Sequence, residues 1–323
     1  MVNYALTVAH LVAADGDRNI AGEFLDAINP IRCGGTAKER KIMNTATTQT
    51  YSQTPTNIIN TAGVDFAYRR RGSGGDLPLV LAGYFTSNMD DWDPLIVDGL
   101  AADREVITFD YPGVGSSTGV TPANVAELSG SCLDFLHGLG LTRVDFLGFS
   151  LGGMIAQQMA FEEPGMIRRM VLCGTGPRGG EKMTFTELSA DEQDDPVALI
   201  LKSFFTPSKT SQSAGDAYLR RLRLHTAQRD SPVTRTSADA QLRAIRAWGT
   251  IPTNDRYAML NGISQPTLIV HGNKDIVVDP INAFILQQHL PHATLLLLPD
   301  ASHGAQSQHA EVFLANARLF LNS

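Results

Sequence analysis

Three residues in this chain could together cleave an acyl bond, and each follows a short apolar run. The first is Ser150, set in Gly148-Phe149-Ser150-Leu151-Gly152-Gly153. Small residues two positions to either side suit a sharp turn in which larger neighbours would clash. Between a strand and a helix, such a turn lifts the hydroxyl over a sheet edge. It also aims the free N–H groups of the helix at any charge forming there. Glycines at this spacing also occur in turns that do no more than pack closely, so the serine needs partners. A hydroxyl is a poor nucleophile without a base, and a base needs a group to orient it. Asp275, in Gly272-Asn273-Lys274-Asp275, and His303, in Ser302-His303-Gly304, are the candidates. They lie just beyond the apolar runs 267–270 and 293–298. All three groups would then meet on one edge of a sheet, in the chain order Ser, Asp, His.

The elements that must hold them there are legible as an alternation of strands and helices starting near residue 62. Runs 64–70, 77–83, 105–109, 144–147 and 170–173 read as strands. The run Leu77-Pro78-Leu79-Val80-Leu81-Ala82-Gly83 suits a strand covered on both faces. Asp93-Pro94 opens a helix with Asp as N-cap and Pro at the first helical position. Thr121-Pro122 opens another that runs toward Leu139, and 151–161 is a third, stopped by Glu163-Pro164-Gly165. From 177 to 255 the pattern predicts helices only. One begins at Asp195-Pro196, with Val197, Ile200, Leu201 and Phe204 at helical spacing. A second covers 213–226, and a third covers 237–248, with Ser237 as N-cap and Gly249 as its stop. Strands resume at 266–270 and 293–298, with helices at 281–290 and 311–321.

This order predicts an α/β fold with a mostly parallel central sheet flanked by helices. The helical block 177–255 is expected to be a cap inserted over the carboxyl edge. It divides a core made of 56–176 and 256–323. Residues 1–55 are expected to form a loose extension.

With these parts in place, residues 62 to 323 resemble the α/β-hydrolase superfamily, and within it the serine esterases and the cofactor-free haloperoxidase-type (perhydrolase) members. The resemblance rests on Asp110-Tyr111-Pro112-Gly113-Val114-Gly115-Ser116-Ser117, the serine turn, the Gly272 to Asp275 turn and His303. It implies Ser150 as nucleophile, His303 as general base and then acid, and Asp275 as the carboxylate that orients the imidazole. It also implies an acyl-enzyme intermediate with no metal or organic cofactor. A serine at the turn argues against haloalkane dehalogenase and epoxide hydrolase activity, because those relatives use a carboxylate there.

One segment departs from the family pattern. Members commonly carry His-Gly after the third strand, whereas here the segment is Leu81-Ala82-Gly83-Tyr84-Phe85-Thr86. The oxyanion donor from this loop is a backbone N–H, so the side chain can vary. Counting back from Trp92, by analogy with related loops, places the donor at Phe85, with Tyr84 second. The Leu151 N–H is the other donor. Tyr84, Trp92 and Phe149, with Phe85, Leu151, Phe204, Phe205 and Trp248, are expected to line an apolar pocket for a neutral ester or lactone of modest size. C–C bond hydrolysis, perhydrolysis and a non-enzymatic ligand receptor remain open alternatives.

Other candidates carry less. Asp279 is a second choice for the acid, and Asp300 sits too near His303 in the chain to face its ring. His271 reads as a structural histidine, His309 as solvent-facing, and Asp110 as the fastener of its own glycine turn. Gly113 and Gly115 meet neither nucleotide-loop pattern. Arg220, Arg221 and Arg223 fall in a block with eleven Lys/Arg against ten Asp/Glu, which reads as a solvated helix face.

Composition narrows the function classes. The 323 residues carry a net charge of -7, which disfavours a nucleic-acid partner. Mean hydropathy is -0.06, and no apolar run approaches the ~18 residues of a membrane span. Cys33, Cys132 and Cys173 have no pairing or metal spacing and read as buried free thiols in a reducing, cytoplasmic setting. The eight histidines show no HxxxH or HExxH spacing. The expected partner is a small-molecule acyl substrate, without nucleic acid or membrane, and homodimerisation stays open.

The front of the chain lacks periodicity. Residues 5–14 are mostly apolar, but no Lys or Arg precedes them, which argues against a signal peptide. Residues 45–60, rich in Thr, Gln, Asn and Ser, read as a linker or loose arm. Lys38-Glu39-Arg40 can be encoded by a purine run resembling a ribosome-binding site, which makes Met43 a candidate native start.

Overall fold

A computed structural model describes residues 50–183, 196–224 and 229–323. Eight strands form one sheet in the order β1-β2-β4-β3-β5-β6-β7-β8. They are β1 (Asn57–Thr61), β2 (Val64–Arg71), β3 (Leu79–Ala82), β4 (Val106–Phe109), β5 (Val144–Phe149), β6 (Ile167–Cys173), β7 (Thr267–Gly272) and β8 (Ala293–Leu298). β1 and β2 pair antiparallel, as do β2 and β4, and every other neighbouring pair is parallel.

Every residue of β3, β4, β5 and β7 is buried, because helices cover both faces of a parallel sheet. The strand period of two sorts their side chains between two cores. Leu79, Leu81, Leu147 and Phe149 pack with α1 (Pro94–Leu100) and α10 (Ala310–Asn322). Val80, Ala82 and Phe146 pack on the other face with α2 (Val125–Gly138), α3 (Leu151–Glu162) and α8 (Ile281–His289). The chain therefore leaves β3 toward one face and β5 toward the other. Their carboxyl ends form the switch point at which open α/β sheets place a crevice.

Helix starts follow side-chain commitments. Asp93 caps α1 by accepting from the Leu95 N–H at 3.1 Å. The helix expected from Thr121-Pro122 starts instead at Val125, capped by Asn124, whose Oδ1 accepts from the Glu127 N–H at 2.8 Å. Thr121 is not available, since its hydroxyl donates to the Pro112 carbonyl at 2.6 Å.

Between β6 and β7 lie α4 (Pro196–Phe204), α5 (Lys209–Leu222), α6 (Arg235–Gly249) and α7 (Ala258–Asn261). The expected start of α5 at 213 falls inside the helix, which Ser208 caps. Thr234, not Ser237, caps α6; the Ser237 hydroxyl donates to the Gly113 carbonyl at 2.7 Å. α9 (Ala305–Gln308) and α10 close the chain.

The expected loose extension to residue 55 is corrected by Tyr51. Its side chain is fully buried, and its hydroxyl donates to the Met89 carbonyl at 2.8 Å and meets the Thr108 hydroxyl at 2.9 Å. The stretch read as a linker supplies β1, whose polar residues occupy an edge strand. Residues 1–49, with Met43 and Cys33, lie outside the described residues. Cys132 and Cys173 are buried and free. Among the described residues no helix is long and apolar enough to cross a membrane.

Candidate active site

Ser150 sits between the last residue of β5 and the first of α3, with φ +54° and ψ -110°. A positive φ is costly for a residue with a Cβ, of order 1–3 kcal/mol, and persists only where the surroundings impose it. Here they do. The Ser150 N–H donates to the Cys173 carbonyl at 2.9 Å. Its carbonyl accepts from the Thr175 hydroxyl at 2.8 Å and from the Gly153 N–H at 2.9 Å. The flanking glycines are steric requirements: a Cβ on Gly148 would overlap the Gly152 carbonyl, and one on Gly152 would overlap that of Ala82.

The structure brings Asp275 and His303 together. His303 Nδ1 lies 2.9 Å from Asp275 Oδ2. Asp275 Oδ1 accepts from the Val277 and Val278 N–H groups at 2.8 and 2.9 Å. Burial by itself would raise the Asp275 pKa, but His303 and His271 outweigh it and hold the carboxyl below the usual range. His271, read from the sequence as a structural histidine, is also a neighbour of the acid. Its Nε2 lies 2.9 Å from the Val278 carbonyl and 3.3 Å from Asp275 Oδ2, while its Nδ1 has no partner among the described residues. Its place four residues before the acid, at the end of the same strand, was the available signal. Asp279 is turned away and pairs with Lys182 at 2.7 Å. Asp300 accepts from Thr206 and Ser208. His309 Nε2 meets the Pro299 carbonyl at 2.8 Å.

The imidazole of His303 packs against Phe149, the residue before Ser150, with ring centroids 5.1 Å apart. Phe204 from α4 covers it at 5.6 Å, and Tyr84 meets Phe149 and Phe204 at 5.0 and 5.2 Å. Ser150 and His303 are each 3% exposed, and the Ser150 hydroxyl makes no hydrogen bond to the imidazole in this structure. Trp92 belongs to the buried core. With Tyr84, Phe149, Tyr218 and Gln306 it borders a cavity of about 10 Å³, room for one water-sized group. Trp248 anchors α6 by donating from Nε1 to the Gly176 carbonyl at 3.1 Å, and Phe205 is core.

Several backbone donors near Ser150 are already used. The Gly152 N–H goes to the Gly83 carbonyl at 3.0 Å, Gly153 to Ser150, and Ser87 to the Tyr84 carbonyl at 3.1 Å. The Thr86 N–H goes to Gln241 Oε1 at 2.8 Å. Leu151, first in α3, has no intrahelical acceptor. Phe85, partly exposed, likewise donates to no backbone group among the described residues.

Known proteins share this arrangement of elements. The sequence is 28% identical over 256 residues to the pimeloyl-[acyl-carrier protein] methyl ester esterase of Nitrosomonas europaea, covering 76% of this chain and 94% of the relative. Among solved structures, an alpha/beta hydrolase fold protein from Chitinophaga pinensis is 39% identical, with a TM-score of 0.81 over 85% of this chain and 99% of that one. The enol-lactonase from Burkholderia xenovorans shares the fold at 22% identity and a TM-score of 0.66, covering 83% and 100% of the two chains. The family model for the alpha/beta hydrolase fold matches residues 78–310, and the chain belongs to that family.

Proposed function

We propose that this protein is a serine hydrolase of the carboxylesterase type, acting on a neutral carboxylic ester or lactone through an acyl-enzyme. The observation that carries the reading is the 2.9 Å contact between His303 Nδ1 and Asp275, at the ends of adjacent strands. With Nδ1 committed to the carboxylate, Nε2 is the nitrogen left for proton transfer.

In the proposed cycle, Nε2 takes the Ser150 proton as Oγ bonds to the acyl carbon, and the carbonyl electron pair moves onto oxygen. Collapse of the tetrahedral intermediate breaks the acyl–oxygen bond, and the leaving alkoxide receives the proton from His303. Water then repeats both steps on the acyl-enzyme, releasing the acid and restoring Ser150. With a lactone, the leaving alkoxide stays tethered to the acyl group.

The N–H groups of Leu151 and Phe85 are the proposed oxyanion donors. Phe85 is favoured over Tyr84 because the Gly83 carbonyl is turned onto Gly152, at the start of α3. The Tyr84 N–H, across the same trans peptide, points the opposite way. One such donor is typically worth about 10²–10³ in rate. The aromatic set Tyr84, Phe149 and Phe204 supports a neutral acyl substrate. The methyl ester esterase and enol-lactonase named above support an ester or lactone bond as the target.

Labelling with a fluorophosphonate probe, alongside turnover of p-nitrophenyl esters and lactones, tests this reading. Labelling and turnover are expected in the wild type and absent in a folded Ser150→Ala variant. An unlabelled wild type would overturn the mechanism. Charged esters outpacing neutral ones would overturn the substrate class.

A further inference from the structure

Helix α6 crosses the carboxyl edge of the sheet and touches it at three points. The Ser237 hydroxyl donates to Gly113 after β4 at 2.7 Å. The Thr86 N–H after β3 donates to Gln241 at 2.8 Å. Trp248 Nε1 donates to Gly176 after β6 at 3.1 Å. In the sheet these strands lie in the order β4-β3-β5-β6. Four helical residues rise about 6 Å and seven about 10.5 Å. One strand spacing is about 4.8 Å and two are about 9.6 Å. The helix therefore keeps step with the strands beneath it. The position over β5, roughly one strand spacing or three residues past Gln241, is Ala244. Ala244 shares a buried cluster with Leu151. Between its contacts on the loops after β3 and β6, α6 therefore passes across the edge at β5, and Gln241 holds the N–H of the residue that follows Phe85, the proposed oxyanion donor.

Gln241 is fully buried. Its Oε1 faces an N–H donor, which fixes the orientation of the amide. The other end, Nε2, is buried with no hydrogen-bond partner among the described residues. A buried donor without an acceptor is costly to leave unmade. The amide is held in place by an unusual turn. Thr86 has φ +62° as the third residue of the turn closed by the Ser87 N–H on the Tyr84 carbonyl. For a β-branched residue that is an outlier, and Gln241 captures the N–H that this geometry presents.

We propose that Gln241 is a substrate-binding residue whose Nε2 donates to a second oxygen in the acyl part of the substrate, close to the scissile carbonyl. The substrates are then esters or lactones bearing an alkoxy, acyloxy or keto oxygen at that position. The proposal rests on the acyl-transfer reading above.

p-Nitrophenyl methoxyacetate and p-nitrophenyl butyrate differ by one oxygen in place of one methylene. The measured quantity is their kcat/KM ratio, divided by the ratio of their hydroxide hydrolysis rates. In the wild type it is expected to exceed one by roughly fivefold or more, the worth of one good hydrogen bond. In Gln241→Met, which keeps the length and removes the amide, it should fall to about one. A loss common to both substrates reflects only the loosened Thr86 turn and cancels in the ratio. A normalised wild-type ratio of one, or a ratio unchanged in folded Gln241→Met, overturns the proposal. If that variant does not fold, the wild-type ratio alone decides. Turnover without preference removes Gln241 from the site and leaves the hydrolase reading standing. A wild type inert to both esters and unlabelled by the fluorophosphonate removes both.

Discussion

Ser203, next to last in α4, gives its carbonyl to two donors on the loop that carries His303: the His303 N–H at 3.2 Å and the Ser302 hydroxyl at 2.7 Å. The next carbonyl, Phe204, accepts from the Gly304 N–H at 3.0 Å. Phe205 forms an antiparallel bridge with Ala301. The helical insertion is thus fastened to the backbone of the imidazole and does not merely lie above it. Ser302→Ala is expected to cost about 1 kcal/mol, because the Ser203 carbonyl keeps the His303 donor. It should also lower kcat severalfold with little change in KM, through a looser imidazole. Denaturant unfolding and ester kinetics on the same preparation check both parts.

Asp275→Asn should keep the fold and lower kcat by about 10⁴, since an amide favours the wrong imidazole tautomer. Stability gives an independent reading. The Asp275 carboxyl is held below its unfolded value, so its contribution is present above about pH 4 and is lost as pH falls through the folded value. The wild type should therefore lose stability on acidification more steeply than Asp275→Asn. Parallel slopes below about pH 4 would contradict this placement of the charge.

The strain at Ser150 predicts a trade of activity for stability. Ser150→Ala keeps a Cβ at φ +54°, whereas Ser150→Gly removes it. The glycine variant should be more stable than the alanine variant by about 1 kcal/mol, despite glycine's greater freedom when unfolded. Neither should be labelled. Thermal melts of the pair give the difference, and equal melting temperatures would mean that the turn is not strained.

Asp110 makes the opposite pH prediction. It is buried beside Asp230, and those two causes, burial first, push its carboxyl well above the usual range. Asp230 is paired with Arg69 at 3.1 Å and accepts from the Ser116 hydroxyl at 2.7 Å. Asp90 accepts from the Asp230 N–H and from Arg69. Asp110 itself accepts from the Met89 and Ser116 N–H groups. A raised folded value gives stability that is full below about pH 4 and is lost as pH climbs through the folded value. Asp110→Asn should therefore gain on the wild type between pH 5 and pH 8. Unfolding free energies at those two values decide it, and a constant difference would refute it.

Local chemistry was legible in the sequence, and remote contacts were not. The Ser150 turn, the Asp275 turn and His303 announce themselves because each is a short run at the end of an apolar strand. The sheet could be read from strands such as β3, which is buried on both faces and so carries an unbroken apolar run. Tyr51 and β1 could not, since one aromatic among Thr, Gln and Asn gives no period, and its value comes from the distant Met89 and Thr108. The starts of α2 and α6 were misplaced because Thr121 and Ser237 spend their hydroxyls on other loops. Gln241 looked like any polar helical residue, and only docking of α6 on the Thr86 turn gives it a role.

The three contacts of α6 make that helix a ruler. One residue inserted between Gln241 and Trp248 would rotate everything beyond it by about 100° and advance it by about 1.5 Å. The indole would then miss Gly176. Within this span length is as constrained as identity, so variation in the size of the helical block has to be absorbed in the loops on either side.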